Sequence, residues 1–302
     1  MKAIVTGGAG FIGSNLTDAL IKKGYEVTIL DDLSSGKESN INPAAKFINV
    51  DLATVEVDEA FIEIFKGVDY VFHTAAKARV QPSIIDPIYY NQQNVNSTVN
   101  VLEAARKAGV KRVIYSASSS CYGNAVRMPL TEDMSINPLS PYGLQKYIGE
   151  EYCKLYSEVY GLDTVSLRYF NVYGPRMNFE GAYKLVIAIF IQQMREGKPL
   201  TITNDGAQRR DFTYVDDIVA ANIQSAECKN LLKGEAFNIG TGDNFSVNEL
   251  ADMFGGEKQY GIEVLEPFET LADTSKARQA FGYIPKGSLP EWIDKCKVEY
   301  NL

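Results

Sequence analysis

Two hydrophobic periodicities alternate along the first half of the chain. Short apolar runs at Lys2–Thr6, Tyr25–Leu30, Phe47–Val50, Asp69–Phe72, Arg112–Ser116 and Thr164–Tyr169 predict strands. Between them the apolar positions take helical spacing. Phe11, Ile12, Leu16, Ala19 and Leu20 share one face, and Gly24 stops that helix. Further helices are expected over about Glu56–Phe65, Pro87–Ala108 and Pro141–Tyr160. Buried strands alternating with amphipathic helices argue for an α/β fold, a doubly wound parallel sheet with helices on both faces.

Past Arg168 the texture changes. Tyr173-Gly-Pro-Arg176 and Asn204-Asp-Gly206 are turn signals between shorter elements. Residues 1–168 are therefore expected to form the first domain and 169–302 a smaller α/β domain. Some segments near 211–240 should return to the first domain, notably around Phe237–Gly240. No internal repeat or low-complexity stretch is visible.

Composition narrows the function classes. For 302 residues the length prior is about two domains, and a chain of this size buries about three quarters of its unfolded surface. With 45% hydrophobic and 23% charged residues, the sequence is that of a globular protein. Lys and Arg total 30 against 38 Asp and Glu, a net charge of -8. Such a chain is a poor partner for nucleic acid or anionic membrane, so any phosphate must be gripped locally. The single histidine, His73, leaves no His-rich metal site, and no metal is expected. Cys121, Cys153, Cys228 and Cys296 are scattered with no CxxC, which reads as reduced thiols in a cytoplasmic protein. The chain opens directly on a strand-like run, so no leader is expected. The longest apolar run, Leu185–Ile191, is too short to cross a bilayer.

Gly7-Gly-Ala-Gly10-Phe11-Ile12-Gly13 has the spacing G-x-x-G-x-x-G between the first strand and the first helix. There Gly7 would make the tight turn, Gly10 would let the backbone approach a pyrophosphate, and Gly13 would let the helix pack against the sheet. The helix N-terminus then faces the anion. An ordinary glycine-rich turn is the plain alternative for a lone motif. Its place in the first strand–helix unit, with Asp31 ending the second strand, favours a Rossmann-type dinucleotide site. A carboxylate at Asp31 can accept from both ribose hydroxyls and repels a 2′-phosphate, so NAD is expected over NADP. Asp51 and Leu52, after the third strand, are placed to meet the adenine edge.

Tyr142-Gly-Leu-Gln-Lys146 sets a phenol and an ammonium four residues apart on one helix face. Using tyrosine as a base near neutrality requires lowering its pKa by about 3 units, or about 4 kcal/mol. A Lys146 cation and an oxidised nicotinamide would supply that. Two residues on a surface helix are the bland alternative for an isolated Y-x-x-x-K, but here the motif follows a dinucleotide loop. Ser118, just past the fifth strand, would share the substrate proton with Tyr142, although a serine-rich loop needs no function.

Together these residues resemble the extended short-chain dehydrogenase/reductase family, within it the nucleotide-sugar epimerases and most closely the UDP-sugar 4-epimerases. The resemblance runs along nearly the whole chain. It implies that 7–13, including Phe11 and Ile12, form an NAD loop and that Asp31 is the ribose-binding acid. It places His73-Thr-Ala75-Ala76 and Lys77 beside the cofactor, with Asn94 supporting that side. His73 then becomes a packing or backbone-bonding residue rather than a ligand. Ser118, Tyr142 and Lys146 align with the catalytic Ser/Thr, Tyr and Lys, the last two and Tyr169 also touching NAD. Residues 169–176 are similar to the substrate-side signature, in which Asn171 would meet the sugar diphosphate. Residues 209–217 are similar to a segment in which Arg210 would grip it bidentately.

The chain departs from the family in two places. Glu266–Thr270 is short and lacks an Arg that many members carry, and the helix after Ser246 is abbreviated, ending at Gly255-Gly256. Resembling dehydratases place an Asp-Glu pair, and decarboxylases a Glu, after the catalytic Ser/Thr. This chain has Ser119 and Ser120. The economical reading is reversible oxidation at C4 through a transient 4-keto sugar, on UDP-glucose/UDP-galactose, UDP-GlcNAc/UDP-GalNAc or both. In the resembling enzymes the residue three before the Ala-Asp aspartate gates the sugar's C2 substituent. Here that is Thr270, small enough to admit an N-acetyl group. Alternatives are a nucleotide-sugar reductase, an epimerase acting at another carbon, or an NAD-sensing binding protein on the same fold. The last would be expected to lack Tyr142 and Lys146. By the same resemblance, helices near 87–108 and 141–160 would pair in a homodimer.

Overall fold

The computed structural model describes residues 1–178, 185–263 and 266–302. Seven parallel strands form the central sheet in the order 236–239, 163–169, 112–118, 70–73, 2–6, 26–31, 46–49. The inner strands read as near-continuous apolar runs because both sheet faces are covered. Ile4, Val5, Val71, Phe72, Ile114, Val165 and Leu167 are all fully buried. One core packs Leu16, Leu20, Phe72, Ile218 and Tyr283 on one side of the sheet. A second packs Ile4, Phe65, Val101, Tyr115 and Cys153 on the other.

The strand order reverses between 2–6 and 70–73. In open α/β sheets such a switch point leaves a crevice at the carboxyl ends of the strands. Gly7 follows one of these strands, and Thr74 and Ala75 follow the other. A third core, with Phe190, Ile202, Phe212, Leu250 and Ile293, supports the short paired strands after residue 171. The strand Ala236–Ile239 lies back in the central sheet beside Asp163–Tyr169.

Some elements differ from the sequence expectation. The helix expected over 87–108 is three segments: Pro87–Asn91, a π-helical stretch Gln92–Asn96, and Ser97–Ala108. Its apolar pattern carries no sign of one inserted residue. A further helix, Val80–Ile85, which the sequence did not lead us to expect, precedes it. The helix placed at 56–65 is Glu59–Glu63, capped by the Asp58 carboxylate accepting from Phe61 N at 2.9 Å. Pro141–Tyr160 has the expected bounds, from the Ser140 cap with Pro141 at the first position to Gly161 in the left-handed conformation. After Ser246 the helix is Val247–Phe254, closed by a capping box with Glu249 and stopped at Gly255.

Candidate active site

The glycine loop is built so that side chains are excluded from it. Gly7 has φ 68°, and a Cβ there would lie 2.8 Å from the Ala75 backbone. A Cβ at Gly13 would collide with the Gly7 carbonyl oxygen. Gly10 is the N-cap of helix Phe11–Lys22, and no side chain caps it. A bare loop feeding an uncapped helix N-terminus fits a pyrophosphate. Phe11 and Ile12 are half-buried over neighbouring cores.

The Asp31 carboxylate accepts from Ala9 N at 3.0 Å and from Leu33 N at 2.8 Å, one bond to each oxygen. It therefore ties the glycine loop to the end of the second strand. Burial pushes its pKa up, and the two N–H donors oppose that. Each oxygen retains a lone pair, as a ribose diol requires. Asp51 accepts from Ala53 N at 2.9 Å and Gln93 Nε2 at 3.5 Å, while Leu52 is buried in the core. Ala75 N donates to Thr6 Oγ1 at 3.2 Å, and Ala76 is half-buried. Lys77 reaches Ser34 Oγ at 2.5 Å.

Asn94, on the π-helical stretch, joins this cradle to the catalytic helix. Its Oδ1 accepts from Lys77 N at 2.7 Å. Its Nδ2 donates to Lys77 O at 3.2 Å and Gln145 Oε1 at 2.9 Å. Gln145 lies between Tyr142 and Lys146, so one amide fixes both the loop after the fourth strand and the turn that carries the Y-x-x-x-K pair. Sequence reasoning missed Gln145; its position inside that motif was the only signal.

Tyr142 sits in the first turn of its helix, where Ser140 Oγ accepts from Gly143 N at 3.1 Å. Its backbone N donates to Ser83 Oγ at 3.1 Å. The Ser118 hydroxyl faces the phenol and stabilises its anion, whereas burial pushes the phenol pKa up. Ser118 Oγ also accepts from Ser120 N at 3.2 Å and Ser120 Oγ at 2.9 Å. Lys146 is 4% exposed, and burial pushes its ammonium down to about 7. Its Nζ lies 4.7 Å from the Tyr115 ring centroid. The Tyr115 hydroxyl donates to Lys146 O at 3.3 Å and occupies a notch at Gly149, where any Cβ would collide with it.

His73 is buried between two hydroxyls, Thr6 Oγ1 at 2.7 Å from Nδ1 and Thr98 Oγ1 at 3.1 Å from Nε2. It is a packing residue, its ring stacked on Tyr115 at 5.8 Å between centroids, and its bonds go to side chains rather than to backbone. Desolvation lowers its pKa to about 3.

On the far side, Asn171 takes φ 27°. Its Nδ2 donates to Asp211 O at 3.0 Å and Thr270 Oγ1 at 3.3 Å. Residues 266–273 run as a strap beside Arg209–Asp211: Arg209 N donates to Phe268 O, Thr270 N to Arg209 O, and Asp211 N to Thr270 O, all within 3.1 Å. The Arg210 guanidinium is held by Glu266 at 2.5 Å and by the Arg209 and Phe268 carbonyls at 2.8 and 3.3 Å. Glu266 stands in the short stretch that lacks the family's arginine. Sequence reasoning missed it because the pair is 56 residues apart. The Tyr169 phenol turns away from this group, bonding Ser116 Oγ at 3.0 Å and Asn222 within the first core.

A family model described as the NAD dependent epimerase/dehydratase family matches residues 3–240. A UDP-glucose 4-epimerase of Mycolicibacterium smegmatis is 37% identical, covering 99% of this chain and 98% of its own. A Thermotoga maritima UDP-glucose 4-epimerase structure with UDP-glucose superposes with TM-score 0.92 at 38% identity, over 100% of this chain and 98% of that one. A Methanobrevibacter ruminantium UDP-N-acetylglucosamine 4-epimerase in complex with UDP-N-acetylmuramic acid also gives 0.92, at 37% identity over 99% and 97%. With the glycine cradle, the Asp31 carboxylate and the Ser118–Tyr142–Lys146 group assembled along the carboxyl-end edge of the sheet, the chain belongs to the NAD dependent epimerase/dehydratase family, and NAD is its cofactor.

Proposed function

We propose that the protein interconverts nucleotide sugars at C4, through a transient 4-keto sugar, with UDP-glucose/UDP-galactose and UDP-GlcNAc/UDP-GalNAc as the substrate pairs. The observation that carries this reading is the convergence of Ser118, Tyr142 and Lys146 beside the glycine cradle, with Ser119 and Ser120 where a dehydratase needs an acid and a base. Relatives named as 4-epimerases over nearly the full chain support it. NAD, when bound, supplies the reversible hydride transfer. The protein's share is to orient the sugar and to take and return the proton of its C4 hydroxyl.

In this reading Tyr142 Oη takes the proton, Ser118 Oγ orients the hydroxyl, and Lys146 holds the cofactor side. Gly7, Gly10, Phe11, Ile12 and Gly13 cradle the pyrophosphate, Asp31 binds the ribose, and Asp51 and Leu52 meet the adenine. Ala75, Ala76, Lys77 and Asn94 line the cofactor side. Asn171 and Arg210 hold the sugar diphosphate, and Thr270 leaves room at C2. We assign cofactor binding to residues 1–168 and substrate binding to 169–302. Leu144, Leu155 and Val159 on the catalytic helix and Ile88 and Tyr89 on its neighbour are exposed apolar residues, which supports a homodimer through these helices. The four free thiols suit a cytoplasmic protein. Among the described residues no helix is long and apolar enough to cross a membrane.

The test is incubation of the holoenzyme with UDP-, dTDP- and GDP-sugars and separation of the products. C4 epimers of a UDP-sugar without net NADH are expected. A strict requirement for NADPH, or a reduced or dehydrated product, would overturn the reading.

A further inference from the structure

Lys146 carries a charge that the fold does not neutralise. The residue is 4% exposed. Among the described residues no carboxylate pairs with its ammonium and no oxygen accepts from it. What its Nζ meets is the face of the Tyr115 ring, 4.7 Å from the centroid. An ammonium taken out of water without an acid partner is costly, and the negative face of an aromatic ring offsets part of that cost.

The ring is fixed independently of the lysine side chain. Tyr115 is fully buried on the fifth strand, Arg112–Ser118. Its hydroxyl donates to the Lys146 carbonyl at 3.3 Å and fills the notch at Gly149, where a Cβ would collide with it. Gly149 lies inside helix Pro141–Tyr160, a position where glycine is unfavourable unless something needs the space. His73 stacks on the same ring, with 5.8 Å between centroids and 29° between planes, and is itself held by the Thr6 and Thr98 hydroxyls. The strand, the notch and the stacked imidazole together make the ring a rigid platform under Nζ.

A carboxylate in that place would also hold the lysine, but it would cancel the charge and occupy its protons. A ring face does neither. The N–H bonds stay open to the cofactor, and the positive charge stays available to the phenol four residues back. We propose that Tyr115 is a positioning residue of the proton-transfer site, whose ring face seats the Lys146 ammonium and keeps it charged, so that the lysine can hold the cofactor and stabilise the Tyr142 phenolate. This rests on Tyr142 and Lys146 acting as the proposed function has them. The titratable groups around the ammonium are Tyr142 and Cys153 on its own helix, Tyr115 from the fifth strand and His73 from the fourth. Burial already draws the ammonium down to about 7, so weakening the ring must draw it lower.

The test uses NAD-loaded holoenzyme carrying Tyr115→Leu, Tyr115→Phe, or Tyr115→Phe with one, two or three fluorines on that ring alone. Fluorine withdraws electrons from the ring face with little change of shape. The Lys146 ammonium is titrated by NMR with carbon-13 at lysine Cε, its signal identified by its absence from Lys146→Met. Its midpoint should fall stepwise with fluorine number, by about one pH unit across the series. In parallel, kcat with a UDP-sugar near neutral pH should fall about twofold per fluorine at unchanged KM. Tyr115→Phe should stay within about threefold of wild type, and Tyr115→Leu should match the trifluorinated enzyme or fall below it. A midpoint and a kcat indifferent to fluorine number would overturn the inference and leave Tyr115 a packing residue, even where Tyr115→Leu fails to fold. A fully active Tyr142→Phe enzyme would instead overturn the proposed function, whatever the Lys146 titration shows.

Discussion

The sheet edge around Tyr142 and the strap around Arg210 both bring polar side chains together, but they are held in different ways. At the sheet edge the holders are neutral and buried: the Asn94 amide between Lys77 and Gln145, the Tyr115 hydroxyl in the Gly149 notch, and His73 between two threonines. Each is satisfied without ligand, so the geometry exists before substrate arrives. In the strap the central holder is a charge pair, Arg210 with Glu266, and the guanidinium also meets backbone carbonyls that any anion must compete with. A site preformed by neutral holders favours precise proton transfer. A site stitched by an exchangeable ion pair favours capture and release. Damage to the first region should therefore appear in kcat, and damage to the second in KM.

The largest expected effect is at Tyr142. Tyr142→Phe keeps the ring and the helix but removes the proposed proton acceptor, so kcat should fall by about 10²–10⁴ with substrate binding retained. Steady-state kinetics with a UDP-sugar and a binding isotherm for UDP check this. Near wild-type turnover would remove the sheet edge from the chemistry. Next is Arg210→Ala, which should raise KM by about 10–100-fold, the worth of a charge-assisted hydrogen bond, and leave kcat within a few-fold. If kcat falls instead at unchanged KM, the division between the two regions fails.

Thr270→Tyr sharpens the comparison inside the strap. Thr270 Oγ1 already accepts from Asn171 Nδ2, so a ring here must occupy the space before it. Activity on UDP-GlcNAc and UDP-GalNAc should drop about 5–100-fold relative to UDP-glucose and UDP-galactose, since close-packed sites accept added volume at about 1–3 kcal/mol. Equal loss on both pairs would show Thr270 to be structural.

The two regions were also unequally legible from sequence. At the sheet edge the chemistry follows spacing along one element: the glycines of 7–13, the Y-x-x-x-K pair, and an acid at a strand end. Spacing survives in a linear text. The strap depends on contacts such as Arg210 with Glu266, 56 residues apart, and Leu130 N with Leu271 O, at 2.7 Å. These are settled by packing alone. The π-helical stretch carrying Asn94 was hidden for a related reason. One extra residue per turn rotates the side chain inward and leaves the apolar pattern on either side intact.

The smallest effect concerns stability. His73 is neutral in the fold down to about pH 3, against an ordinary value near 6.5. The unfolded chain therefore binds the proton first. His73 imposes no penalty above about pH 6.5, and stability is lost as pH falls from there toward 3, by at most about 1.4 kcal/mol per unit. Urea unfolding of His73→Gln between pH 4 and 6 should show a flatter pH dependence than wild type. An unchanged slope would place the acid sensitivity elsewhere.

Reversible transfer at C4 is tested most directly with a UDP-sugar carrying deuterium on C4. The substrate is turned over by holoenzyme in ordinary water, and both epimers are analysed by mass spectrometry and NMR. Hydrogen that leaves C4 and returns within one closed site predicts inverted product with the deuterium still on C4 and no net NADH. Loss of the label to solvent, or inversion at any other carbon, would contradict the account.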